Sequence, residues 1–323
     1  MKNKKKNIEP FFEDKPELRF IVEVLSEQSV VVNEVEQSVD DFNQDEFIRL
    51  IKHHRLDSIF YRALQEQNIQ FPIELKAKLE KINKRNKIRM MKLTAELIRI
   101  HQLFTENDID YISLKGPALS QQIYGDYTIR SSRDLDILVK TKDFIKASNL
   151  LKSIDYKNNK KFNIINRFNY KEYKFINEKR NVLVELHHRV FNNKYLLPMD
   201  VTIFNNREFI QINDMTIPVL PIRSNFEYLA LHALAHNWKR MHWPLDVILL
   251  KQKTEDLYIN SELTLLRKTI DYNLQDYVIN GSEHQLILFG QMTHLLRFRG
   301  SVKYKLQELL QRLFIPYRYF DNL

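Results

Sequence analysis

The sequence predicts an α+β fold, a small α/β core between two helical regions, on three observations. Helical apolar spacing runs from Pro16 to about Arg99. Short alternating segments replace it from Asn107, and helical spacing returns from Ser224. The expected regions are 1–105 (helical), 106–222 (core) and 223–323 (helical).

Leu18, Ile21, Val22 and Leu25 share one helical face, and Phe47, Leu50 and Ile51 another. Leu56, Ile59, Phe60, Ala63 and Leu64 continue the pattern. Pro72 opens a long helix through Leu75, Leu79, Ile82, Ile88, Met91, Ala95, Ile98 and Leu103. Its basic residues from Lys76 to Arg99 read first as a solvated face and second as an RNA-binding one.

Tyr111 to Leu114 is a short strand, and Gly116-Pro117 starts a helix to about Tyr124, proline suiting the first turn because its missing N–H is not needed there. Gly125 to Arg133 is a loop and Asp134 to Val139 a strand. Thr141 is the expected cap of a helix over about 142–152, with Asp143 in its first turn. Phe162 to Asn169 is ambiguous. Tyr170 to Ile176 and Val182 to Val190 read as strands joined by a hairpin loop over 177–181. Thr202 to Val219 adds a β-ribbon, and Ser224-Asn225 cap a helix to about Arg240. Further helices are expected at 244–253, 261–278 and 282–315.

The 323 residues, 44% hydrophobic and 28% charged, suit a packed protein. No apolar run approaches 18 residues, so no membrane span is expected. The basic start Met1 to Lys6 lacks the apolar stretch of a signal peptide. The absence of cysteine excludes disulfides, thiolate metal sites and cysteine nucleophiles, and fits a cytoplasmic location. A formal net charge of +9 favours polyanionic partners, although lysine is spread along the chain. Only 5 glycines argue against a repeat β architecture. No G-x-x-x-x-G-K-[ST] or G-x-S-x-G run occurs, which disfavours a P-loop enzyme and an α/β-hydrolase.

The chemistry concentrates in Leu114-Lys115-Gly116 and in Arg130-Ser131-Ser132-Arg133-Asp134-Leu135-Asp136. Residues i and i+2 of a strand share a face, so Asp134 and Asp136 project together while Leu135, Ile137 and Val139 enter the core. Paired carboxylates on a rigid strand suit a hard divalent cation. A glycine turn opening a helix suits a phosphate. Together they point to metal-assisted chemistry on a nucleoside triphosphate such as ATP. Mg2+ is the expected ion, with Mn2+ as its substitute.

A third carboxylate comes from Val182-Leu183-Val184-Glu185-Leu186-His187. Alternation puts Leu183, Glu185 and His187 on one face, and a Glu in so apolar a strand needs a partner. The competing reading is a solvent-facing Glu. His187, beside Glu185, contacts a substrate or orients Glu185, its nitrogen being a poor match for Mg2+. Lys115, Gly116, Arg130, Ser132 and Arg133 are the candidate phosphate contacts, arginine through bidentate geometry. Arg130 and Arg133 can equally balance local acids.

His232 and His236 stand four apart, as zinc ligands on a helix do, but the glutamate of H-E-x-x-H is absent. His236, Lys239 and Arg240 are read as bordering the nucleotide cleft, or the histidines as packing residues. Asp246 is assigned a structural role.

The ordered set Leu114-Lys115-Gly116, Tyr124-Gly125, Arg130 with Asp134 and Asp136, and Glu185-Leu186-His187 resembles the nucleotidyltransferase superfamily that includes DNA polymerase β-like enzymes. It more closely resembles a family of bacterial uncharacterised nucleotidyltransferases, over about 45–290. The resemblance implies a small mixed sheet with helices on one side, flanked by helical bundles. It implies transfer of a nucleoside monophosphate from an NTP, with Asp134, Asp136 and Glu185 as metal-binding and catalytic residues. The acceptor is a small molecule, a peptide, a protein hydroxyl or an RNA end. Where the superfamily has Gly-Gly or Gly-Ser, this chain has Gly116-Pro117, so Lys115, Ser131 or Ser132 must supply the lost phosphate contact. The alternatives are an idle scaffold that keeps the fold and an RNA-binding helical protein.

Overall fold

The computed structural model describes residues 15–26, 43–69, 71–158, 170–191, 201–236 and 240–253. Phe162 to Asn169, Lys239 and the helices expected at 261–278 and 282–315 lie outside the described residues. In chain order the elements are α1 (Pro16–Leu25), α2 (Gln44–His53), α3 (Asp57–Glu66), α4 (Ile73–Thr105), β1 (Tyr111–Ser113), α5 (Pro117–Tyr124) and β2 (Asp134–Val139). A 3-10 turn (Thr141–Asp143) leads into α6 (Phe144–Ser153), then β3 (Glu172–Asn177), β4 (Val182–His187), α7 (Val201–Asn205), β5 (Glu208–Ile212), β6 (Met215–Val219), α8 (Ile222–Ala235) and α9 (His242–Gln252). The fold is mixed α+β, with a six-stranded sheet and flanking helices.

The described residues form two compact units that alternate along the chain. The helical unit takes residues up to Lys92, Ser120–Ser131 and those from Leu229. Its core gathers Phe20, Ile21 and Val24 of α1, Phe47 and Ile51 of α2, Ile59, Phe60 and Leu64 of α3, and Leu75 and Leu79 of α4. Phe47 and Phe60 meet edge to face at 5.5 Å, a geometry their ring quadrupoles favour. Asn43 caps α2, its side chain accepting from the Glu46 N–H at 3.0 Å. Among the described residues no helix is long and apolar enough to cross a membrane.

The sheet unit takes Leu93–Leu119 and Ser132–Tyr228. Strand order is β3-β4-β2-β1-β6-β5. β2 runs parallel to β4 and antiparallel to β1, β1 is parallel to β6, and hairpins join β3 to β4 and β5 to β6. One face is apolar: Leu135, Ile137, Val139, Val184, Leu186, Tyr173 and Phe175 are all buried there. Phe144 of α6 covers it, 5.1 Å from the Tyr173 ring, and Phe104 of α4 packs 5.7 Å from Tyr111. The opposite face carries Asp134, Asp136, Glu185, His187, Glu172 and Lys174 by alternation and register.

Four local expectations differ from the structure. Thr141 does not cap α6; its hydroxyl donates to the His188 carbonyl at 3.3 Å, and no side chain caps that helix. The ribbon spans only Glu208–Val219, because Val201–Asn205 coils to bury Ile203 and Phe204, tertiary burial overriding β propensity. α8 begins at Ile222, with the Asn225 N–H donating to the Pro221 carbonyl, so Ser224 and Asn225 lie inside the helix. It ends at Ala235, short of Arg240.

Candidate active site

The register of the sheet builds the site. Asp136 of β2 is level with Glu185 of β4, and Glu185 with Lys174 of β3. One row along, Leu138 is level with His187, and His187 with Glu172. Asp134 is level with Leu183, at the start of β2.

A tight turn after β1 delivers Lys115. Gly116 takes φ +72, a conformation glycine adopts without penalty. A Cβ there would lie 3.3 Å from the Asp134 carbonyl oxygen, so the turn packs closely against β2. The Leu114 N–H donates to the Asp136 carbonyl at 2.9 Å, tying the turn to the same strand.

Asp136 is the hub. Its Oδ1 lies 2.9 Å from Lys115 Nζ and 3.2 Å from His187 Nε2. Burial opposes its charge, but Lys115 and His187 hold the carboxyl well below the usual range. Burial likewise opposes the charge of Lys115, and Asp136 outweighs it, holding the ammonium well above its usual range. The ammonium also lies 5.9 Å from the centre of the buried Tyr228 ring.

Glu185 behaves in the opposite way. Burial, then the charges of Asp136 and Glu172, push its carboxyl up, against His187 and Lys174. Lys174 Nζ reaches Glu185 Oε1 at 3.1 Å from the exposed rim. Glu172 Oε2 lies 2.6 Å from Lys171 Nζ and 3.5 Å from His187 Nδ1. Burial works against the Glu172 charge, and His187 and Lys171 bring its carboxyl below its usual range.

One donor atom from each of Asp136, Glu185 and His187 lies within 4.8 Å of the others. Two adjacent carboxylates, one resisting ionisation beside the other, fit a divalent cation, whose charge would relieve their repulsion. Asp134 lies outside that mutual cluster; the Ser132 hydroxyl faces its carbonyl oxygen at 3.1 Å and its Oδ1 at 3.2 Å.

The structure thus brings Lys115, Asp136, Glu185 and His187 together, with Asp134 at the start of β2 and Ser132 just ahead of it. Arg133 is exposed in the same unit. Arg130 belongs to the helical unit, where its buried guanidinium pairs with Asp246 at 2.7 Å. Asp246 also accepts from the Tyr124 hydroxyl at 3.2 Å, in keeping with its structural assignment. His236 is exposed in that unit and stacks on Trp243 at 5.3 Å, and Arg240 lies 6.0 Å from the same indole.

Sequence reading missed Glu172, Lys174 and Tyr228. The first two were within reach. A hairpin closing between Asn177 and Val182 puts Lys174 opposite Glu185 and Glu172 opposite His187. Tyr228 carried no local signal.

An antigenic nucleotidyltransferase-like protein from Paracoccidioides brasiliensis is a solved structure similar to this one, with a TM-score of 0.33 and 15% identity. The match covers 62% of this chain and 92% of that one. No curated protein matches the chain significantly. Residues 40–285 match the family described as uncharacterised nucleotidyltransferase. That span exceeds half of the chain and contains both the glycine turn and the carboxylate strands, so the chain belongs to the uncharacterised nucleotidyltransferase family.

Proposed function

We propose that this protein transfers a nucleoside monophosphate from an NTP to an acceptor hydroxyl. The observation that carries the reading is the level pairing of Asp136 and Glu185 on parallel strands beside a glycine turn, in a chain of a nucleotidyltransferase family.

Asp136 and Glu185, with Asp134 beside them, would hold a divalent cation, Mg2+ or Mn2+, which supplies charge neutralisation at the phosphates. Lys115, carried by the Gly116 turn, offers its ammonium to a phosphate oxygen. Ser132 and Arg133, just ahead of β2, would supply further donors. Glu185 is less buried than Asp136, which Lys115 engages, and is the carboxylate better placed for general-base work. It takes the proton of the acceptor hydroxyl as that oxygen bonds to the α-phosphorus. The bond from the α-phosphorus to the bridging oxygen breaks, and pyrophosphate leaves. Most of the rate enhancement is positioning and charge stabilisation.

The test is incubation with NTPs labelled at the α- or γ-phosphate, Mg2+ and a cell extract. Label from the α-position alone should appear on an acceptor, and it should vanish in Asp134→Ala/Asp136→Ala. Transfer of the γ-label, or survival of transfer in the double variant, overturns the reading.

A further inference from the structure

His187 is fully buried between carboxylates. Nε2 lies 3.2 Å from Asp136 Oδ1 and 4.0 Å from Glu185 Oε2, and Nδ1 lies 3.5 Å from Glu172 Oε2. A neutral imidazole has one N–H and one lone pair. Nδ1 is buried without a hydrogen-bond partner, which is costly for a polar atom. A cation among the donor atoms of Asp136, Glu185 and His187 would give both ring nitrogens a partner. The lone pair of Nε2 goes to the ion, and the N–H moves to Nδ1, where Glu172 accepts it. A carboxylate behind a metal-bound imidazole is a recurring arrangement that fixes the tautomer.

We propose that His187 is a nitrogen ligand of the Asp136–Glu185 site, with Glu172 as a positioning residue behind it. The site then takes a first-row transition ion, Mn2+ among them, in preference to Mg2+. The proposal rests on reading Asp136 and Glu185 as cation ligands. Donors sharing one small ion at about 2.1 Å stand about 3–4 Å apart. The separations of Nε2 from the two carboxylates are of that size. Mg2+ is a hard ion that keeps oxygen ligands, whereas Mn2+ and its neighbours accept imidazole as well as carboxylate.

The test uses Mn2+ alone with the full-length chain, its binding followed by electron paramagnetic resonance and its ligands by nitrogen coupling in pulsed spectra. The expected result is bound Mn2+ with a directly coupled nitrogen, and loss of that coupling in His187→Gln. Affinity should fall at least about tenfold in that variant, and less Mg2+ should displace the remaining Mn2+. Glu172→Gln should keep the coupling but bind Mn2+ about tenfold more weakly. The wild-type spectrum decides even if a variant misfolds. Mn2+ bound without nitrogen coupling overturns the proposal and leaves Asp136 and Glu185 standing as ligands. No Mn2+ binding, or coupled Mn2+ that persists in Asp136→Asn, overturns both.

Discussion

The Lys115 ammonium lies 2.9 Å from Asp136 Oδ1, and the carboxylate it meets is almost wholly buried. A lysine read from sequence as a phosphate contact is therefore also an internal counter-ion for the central carboxylate. The two roles are compatible. The ammonium neutralises Asp136, and on the proposed function it would also meet a polyphosphate.

Removing one partner of a buried ion pair leaves the other uncompensated, at a cost of about 3–5 kcal/mol. Lys115→Met should lower stability by that order. Lys115→Met/Asp136→Asn should be less destabilised than the sum of the single changes, with a coupling on the order of 2 kcal/mol. Urea denaturation of the four proteins measures it. Additive losses would mean that the pair contributes nothing as a pair.

The second buried pair, Arg130–Asp246, makes the opposite case for arginine. With both side chains at most 4% exposed, the guanidinium is committed within the helical unit. Asp246→Asn alone should destabilise by about 3 kcal/mol or more, whereas Arg130→Met/Asp246→Leu should recover most of it, apolar replacements of such pairs often being near neutral. The double variant should also bind NTP with unchanged affinity. A folded double variant that loses NTP binding would show that Arg130 contacts the nucleotide.

What the sequence revealed and what it hid follow one physical divide. β2, β4 and the Gly116 turn were legible because alternation and a glycine are local signals, and the two carboxylates inherit their shared face from that alternation. The long α4 was legible for the same reason, its apolar residues recurring at helical spacing from Leu75 to Leu103. The partners of charged groups were not. Lys115 could reach a phosphate or a carboxylate, and only the sheet register decides that Asp136 is beside it. Arg130 finds Asp246 116 residues away, a contact no window of sequence contains. Thr141 and Ser224 looked like caps because their residue types suit caps, yet the hydroxyl of Thr141 had a carbonyl on another loop to satisfy, and Pro221 started the second helix earlier.

The two turn glycines should respond differently to the same change. Gly116 and Gly125 both have positive φ, at +72 and +69, so alanine at either costs about 1 kcal/mol in backbone strain. Gly125 has nothing within 4 Å of the added Cβ, so Gly125→Ala should cost little more. At Gly116 the Asp134 carbonyl is 3.3 Å away, and the turn must shift. Gly116→Ala should therefore lose more stability and, by moving Lys115, weaken NTP binding at least about tenfold. Calorimetric titration with an NTP and Mg2+ compares the two, and equal affinities would separate the turn from the binding of phosphate.

His54 gives the fold a pH dependence independent of the carboxylate cluster. Burial, then the charges of His53, Arg49 and Arg240, push its pKa down to about 4. Nδ1 accepts from the Met241 N–H at 3.3 Å, which a neutral ring allows and a protonated one does not. In the unfolded chain the ring titrates near 6.5. The neutral form is thus favoured by folding. The associated stability is present in full above about pH 6.5 and is lost as pH falls from there toward 4. At pH 4.5 the loss should be on the order of 2 kcal/mol relative to pH 7. His54→Asn keeps an acceptor for Met241 but cannot be protonated, so its urea midpoint should fall less than that of the wild type over the same interval. Parallel declines in the two proteins would assign the acid sensitivity to other groups.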